Sequence, residues 1–153
     1  MSQAFAFLIV LQFVLIGAHD LVDVPGWAHG RQVQEVIGRR KVWLVTLINS
    51  IFPGLAAGSA VVYWGRIAPR IVEDYWVLYC ALTVGSAVTM WYIPYLRGTD
   101  DDQKRDYARM YAGTHQVLPE RGDNPRPNLL HVIFHVLFVI NLLLSAAVWL
   151  RSR

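Results

Sequence analysis

PNLLHVIFHVLFVINLLLSAAVWL, residues 127–150, runs for 24 residues without an Asp, Glu, Lys or Arg. As a helix rising 1.5 Å per residue it reaches about 36 Å, enough to cross a bilayer core of about 30 Å. Three further runs lack charge in the same way: Met1–Ala18, Val42–Gly65 and Tyr75–Leu96. Together the four hold 88 of the 153 residues. The whole chain is 55% apolar and 16% charged, against about 45–50% and about 25% in an average soluble domain. An ordinary soluble domain and a disordered chain are thereby excluded. A disulfide-built module is excluded too, because Cys80 is the only cysteine. The expected fold is a single all-α domain, a four-helix transmembrane bundle with antiparallel neighbours. Its spans fall at about 3–22, 42–64, 74–96 and 128–150, given the length a bilayer requires.

The first run reads as a retained helix. Met1-Ser2-Gln3 carries no basic side chain, and Gly17-Ala18 is a faint cleavage cue. Basic residues then set the topology, because the Lys/Arg-rich loops stay cytoplasmic. The first loop has Arg31, Arg39, Arg40 and Lys41, and the third has Arg97, Lys104, Arg105, Arg109, Arg121 and Arg126. The opposite side has only Arg66, Arg70, Arg151 and Arg153. Loops 19–41 and 97–127 are therefore expected in the cytoplasm and both termini outside, in a multi-pass protein of the cell (inner) membrane. This topology accounts for most of the net charge of +3, and no motif points to a nucleic-acid partner.

The loops carry local signals. Gly38 is placed to end a short helix over residues 31–37. In the third loop, Thr99 and Asp102 fit a helix start and Gly113 a stop, and Tyr107, Met110 and Tyr111 share one face of this amphipathic helix. Residues 118–128 hold three prolines and cannot continue it. In the second run, Pro53-Gly54 predicts a kink. Ser50, Gly54 and Gly58 recur every fourth residue and allow close helix approach, within the chain or in a homo- or hetero-oligomer.

All five histidines fall on the predicted cytoplasmic side. His131 and His135 are at i and i+4, so both rings leave one face of the fourth helix. Asn49 lies at a similar depth on the second helix, and Asp20 adjoins His19 at the end of the first. Polar and ionisable groups within a membrane frame face the bundle interior and are functional candidates. The candidate catalytic set is His131, His135, Asp20 and Asn49. His19, His115, His131 and His135 are candidate ligands for a divalent metal or haem. Arg121, Arg126, Asn128, Trp91 and Tyr92 are candidate ligand-binding residues, the guanidinium groups being suited to carboxylate or phosphate.

Imidazole serves several roles. The pair is equally readable as metal or haem ligation, as metal-free acid/base or polar-substrate binding, and as structural packing. Its His-x-x-x-His spacing is similar to a box in membrane fatty-acid hydroxylases and desaturases. Those families carry two further His-x-x-His-His-type boxes, which are absent here, so membership is not assigned. The leading expectation is a membrane-embedded enzyme or ligand-binding protein with a His-lined pocket for a lipid-like or isoprenoid-like substrate drawn from membrane lipid. A non-catalytic subunit or assembly factor and a small transporter are the alternatives. The orientation is checked by impermeant-maleimide labelling of Asp101→Cys and Arg153→Cys in intact cells: position 153 is expected to label and position 101 not. Labelling at 101 overturns it.

Overall fold

A computed structural model describes residues 3–153. The first two residues of the opening apolar run lie outside that range. The chain is mostly helical: α1 (Gln3–Ala18), α2 (Gly30–Ile37), α3 (Arg39–Val62), α4 (Arg70–Ala87), α5 (Ile93–Arg97), α6 (Asp101–Met110) and α7 (Leu129–Arg151). A π-helical turn, Val88–Tyr92, joins α4 to α5 without a break. A small hairpin pairs β1 (Asp23–Val24) with β2 (Ala28–His29) in antiparallel register. Three helical segments are long and apolar enough to cross a membrane: Arg39–Val62, Arg70–Arg97 and Leu129–Arg151. α1 is apolar but shorter. It ends at Ala18, not at the expected residue 22, because His19–Leu21 turn and the amides of Leu21 and Val22 both bond the Ala18 carbonyl.

α1 packs on α3 and α7, and α4 packs on α7 and to a smaller extent on α3. The small residues of α3 serve the first of these contacts. Ser50 lies against Gly17, and the ring of Phe13 fills the space beside Gly54. Two of the three stripe residues are thus covered by α1 of the same chain, whereas Gly58 meets nothing. Pro53 sits inside an uninterrupted helix. Further along, Phe5, Ala6 and Ile9 pack with Ala56, Ala60, Trp76 and Cys80. The Trp76 indole donates to Ser59 Oγ at 2.9 Å.

Burial is inverted relative to a protein in water. Asn141 is 0% exposed, while Leu143 two residues on is 64% exposed. Leu47, Phe52, Leu55, Leu78 and Leu82 also point outward. Three of the buried polar side chains bond in series, although Asn141 Oδ1 itself has no partner among the described residues. Gln12 Nε2 donates to the Tyr79 hydroxyl at 2.8 Å, and Asn141 Nδ2 donates to Gln12 Oε1 at 2.6 Å and to the Leu8 carbonyl at 3.3 Å. One carboxamide chain therefore ties α1, α4 and α7 together. In hydrocarbon such bonds replace the water that a soluble protein would use, at about 0.6 kcal/mol each and up to about 1.7. Asn141→Val is expected to lower stability by about 1 kcal/mol in SDS-driven unfolding from mixed micelles. An unchanged midpoint would show that this network contributes nothing.

Candidate functional site

The two longest connections meet at one end of the helices. Gly26 has φ +74° at the tip of the β1–β2 hairpin, a left-handed conformation that suits glycine. A Cβ there would stand 2.5 Å from His115 Nε2. That space lets the His115 amide donate to the Gly26 carbonyl at 2.7 Å, and the His115 carbonyl in turn accepts from Leu129 N at 2.8 Å. Gln116 and Asn128 form an isolated bridge beside it. The first connection is thereby clasped to the third at the start of α7.

Asn128 is the N-cap of α7. Its Oδ1 accepts from the His131 amide at 3.0 Å and lies 2.7 Å from His131 Nδ1. Its Nδ2 donates to the Trp27 carbonyl at 3.3 Å. These partners dictate the chemistry of the imidazole. A carbonyl accepts only, so the amide nitrogen of Asn128 must face Trp27 and its oxygen must face His131. That oxygen in turn requires an N–H at His131 Nδ1. In the neutral ring the lone pair therefore sits on Nε2, which has no hydrogen-bond partner among the described residues.

His131 is buried in a wall of rings. Trp91 lies over it with centroids 3.9 Å apart. Tyr111 meets it edge-on at 5.2 Å and His19 at 5.7 Å, and His135 is 6.3 Å away. His135 Nδ1 shares a hydrogen bond with the Tyr92 hydroxyl at 3.3 Å, and its ring neighbours Phe138 at 5.9 Å. His19 Nδ1 donates to the Ile16 carbonyl at 2.8 Å, with Nε2 3.3 Å from Asp20 Oδ1. In the imidazolium form of His19, both N–H groups thus meet an acceptor.

Pro94 accounts for how Trp91 and Tyr92 reach these rings. Proline has no N–H to give to Met90, four residues earlier. The helix widens there, and the Ile93 amide bonds Val88 instead of Thr89. Such π turns re-aim side chains and occur often at functional sites. The Met90 carbonyl accepts at 3.4 Å from the Tyr107 hydroxyl of α6. Tyr107 and Tyr111, one helical turn apart, both pack on Trp91, at 5.0 and 5.4 Å. α6 is capped by Asp100, whose side chain accepts from Gln103 N at 2.8 Å, one residue later than the Thr99 start read from the sequence. Burial keeps the Tyr111 phenol well above its ordinary range, with the Asp20 carboxylate adding to the shift. Tyr111 therefore remains a protonated donor at neutral pH.

The structure brings together His19, Asp20, Trp91, Tyr92, Asn128, His131 and His135. It does not bring in the remaining candidates. Asn49 is exposed on the outer face of α3. His115 is exposed and rests on Gly26. Arg121 stacks over Tyr95 at 5.4 Å, and Arg126 bonds the Leu118 carbonyl and Glu120. Among the described residues no group of three or more His, Cys, Asp or Glu side chains is arranged to hold a metal ion. The four-imidazole ligand set is therefore not assembled. From the sequence Tyr107 and Tyr111 share only a helix face; the capping pattern of α6 and the bare Met90 carbonyl opposite Pro94 are the signals for their role here.

No protein-family model matches the chain, and neither a curated protein nor a solved structure matches it. The geometry itself generates a test. Asn128→Ala removes a helix cap, worth about 1 kcal/mol, together with the bond to Trp27. Asn128→Asp keeps both acceptor bonds to His131 and loses only the donor. Thermal unfolding in detergent is expected to rank wild type above Asp and Asp above Ala. In the Ala variant, nitrogen NMR is expected to show the His131 tautomers mixing. A His131 ring unchanged in both variants would refute the orienting role.

Proposed function

We propose that this protein is a membrane-embedded enzyme whose catalytic imidazoles sit at the cytoplasmic interface and act on a lipid-like or isoprenoid-like substrate. The observation that carries this reading is His131: a buried imidazole with its tautomer set by Asn128 and its Nε2 left without a partner. In this tautomer the Nε2 lone pair is free to accept a proton from a bound substrate. Here His131 Nε2 is the base. His19, backed by Asp20, is the acid, and the Tyr111 hydroxyl is a neutral donor beside them. Aromatic side chains over His131 and His135 suit an apolar chain entering from the bilayer.

The reading includes the membrane frame. α1, α3, α4 and α7 form a four-span bundle with antiparallel neighbours, both termini outside and the two long loops in the cytoplasm. Contact order supports the antiparallel sense. Along α1, Phe13 meets Gly54 and Gly17 meets Ser50, so one helix ascends as the other descends. Gln12 with Asn141 and His19 with His131 run likewise, as do Glu73 with Ser152 and Tyr92 with His135. α1 rises about 24 Å over its described residues, so the bilayer thins at its end or the polar His19–Asp20 turn dips toward the interface. That turn delivers His19 and Asp20 to His131.

Nanodiscs carrying the purified chain, a photoactivatable diazirine phospholipid and total polar lipid provide the test. Crosslinks are expected on peptides containing Trp91, Tyr111 or His131, and a lipid product is expected to accumulate by mass spectrometry. His131→Ala is expected to cut turnover by about 100-fold or more, the scale of lost general acid–base catalysis, with crosslinking retained. Full turnover in His131→Ala, or crosslinks confined to the outer faces of α3 and α7, would sink the proposal.

A further inference from the structure

A cavity of about 390 Å³ lies between α6 and the irregular segment 113–126, within the range of about 300–1,000 Å³ usual for small-ligand sites. Tyr107 and Tyr111 close its inner wall, and they are the same rings that pack on Trp91 and His131. Its remaining charged lining is two cations and two carboxylates. Lys104 Nζ bonds both oxygens of Asp123, at 3.1 and 3.0 Å, and Arg126 bonds Glu120 at 3.0 Å. The cations are half-buried and the carboxylates more exposed. Lys104 and Arg126 side chains are 21% and 26% exposed, Asp123 and Glu120 77% and 78%.

We propose that this cavity binds a phosphoethanolamine headgroup, its phosphate between Lys104 and Arg126 and its ammonium at Asp123 and Glu120. This deepens the enzyme reading above by naming the polar end of its lipid, and it rests on that reading only for what happens at His131. The order of charge decides the class. In a membrane lipid the phosphate is nearest the glycerol and the ammonium lies further out, which matches half-buried cations and more exposed carboxylates. A net anion meets two carboxylates on the way in, and a net cation meets Lys104 and Arg126. A quaternary ammonium has no N–H for a carboxylate and prefers an aromatic cage, whereas a primary ammonium has three donors. A ligand bearing an extra carboxylate is repelled at the rim. Opening the resident pairs costs little, because exposed ion pairs are worth about 0–1 kcal/mol. Lys104 holds the Asp123 carboxyl below the usual carboxylate range, and Asp123 holds the Lys104 ammonium above the usual lysine range. Both groups are therefore charged at neutral pH.

The test uses the full chain in phosphatidylcholine nanodiscs that contain equal minor amounts of phosphatidylethanolamine and phosphatidylglycerol. Native mass spectrometry after release is expected to find phosphatidylethanolamine retained about tenfold over either other lipid, the ratio one charge-assisted contact supplies. The double swap Lys104→Asp with Asp123→Lys keeps an ion pair while reversing charge order, so retention is expected to fall to the phosphatidylcholine level with the melting temperature held. Glu120→Gln is expected to weaken retention severalfold on the same criterion. His131→Ala is expected to retain the lipid fully, which separates this site from the catalytic reading. Equal retention of the three lipids, or unchanged selectivity in the swap, overturns the proposal. Tighter binding of soluble O-phosphoethanolamine than of the lipid overturns the lipid as its source.

Discussion

The carboxamide of Asn128 is the constraint on which the loop-rich end of this molecule depends. It caps α7, fastens the first connection through the Trp27 carbonyl and orients the His131 ring. Among the side chains that favour the N-cap, only asparagine does all three. Aspartate lacks the donor, and serine has one hydroxyl in place of a separated donor and acceptor. Because its two ends are chemically different, the bond to a backbone carbonyl on one side decides which nitrogen of an imidazole carries the proton on the other. Backbone position in one loop is thus converted into the protonation pattern of a buried side chain in a helix.

A second constraint is the solvent. Around most of the helices the large apolar side chains face outward, and Gln12, Tyr79 and Asn141 meet at the centre. Lipid offers nothing to a polar group, so the Gln12 carboxamide, the Tyr79 hydroxyl and the Asn141 amide nitrogen are drawn together. The Met90 carbonyl obeys the same rule. Pro94 deprives it of its helical donor, and the Tyr107 hydroxyl of a different helix takes that place. α6 is consequently held over the rings by a backbone group that an ordinary α-helix would have hidden.

The three long spans were legible because length and lack of charge are properties of a run, independent of what packs on it. So were the short α2 and α6, which their cap and stop residues delimit. Facing was harder. Asn49 and Ser50 are neighbours in sequence, yet about 100° of helical rotation separates them. Once Ser50 turns toward Gly17, Asn49 is turned away, and that choice is made by α1. Gln12 and Asn141 are isolated polar residues in apolar runs, and nothing local says that they share a depth. Of the site, the i, i+4 pair and the His19–Asp20 neighbours were readable from spacing. The clasp through Gly26, His115 and Asn128 was not, because it joins residues remote in the chain. The widening at Val88–Tyr92 follows from Pro94, but only the tertiary contact with Tyr107 makes it economical.

Asn128 and Trp27 are 101 residues apart in the chain. A ribosome releases the hairpin long before the cap exists. The first connection and the Trp91 turn are made before the residues of α7 that they contact. His131 comes in the same helix as the amide that orients it. The clasp at this end of the molecule therefore cannot close until α7 has been made.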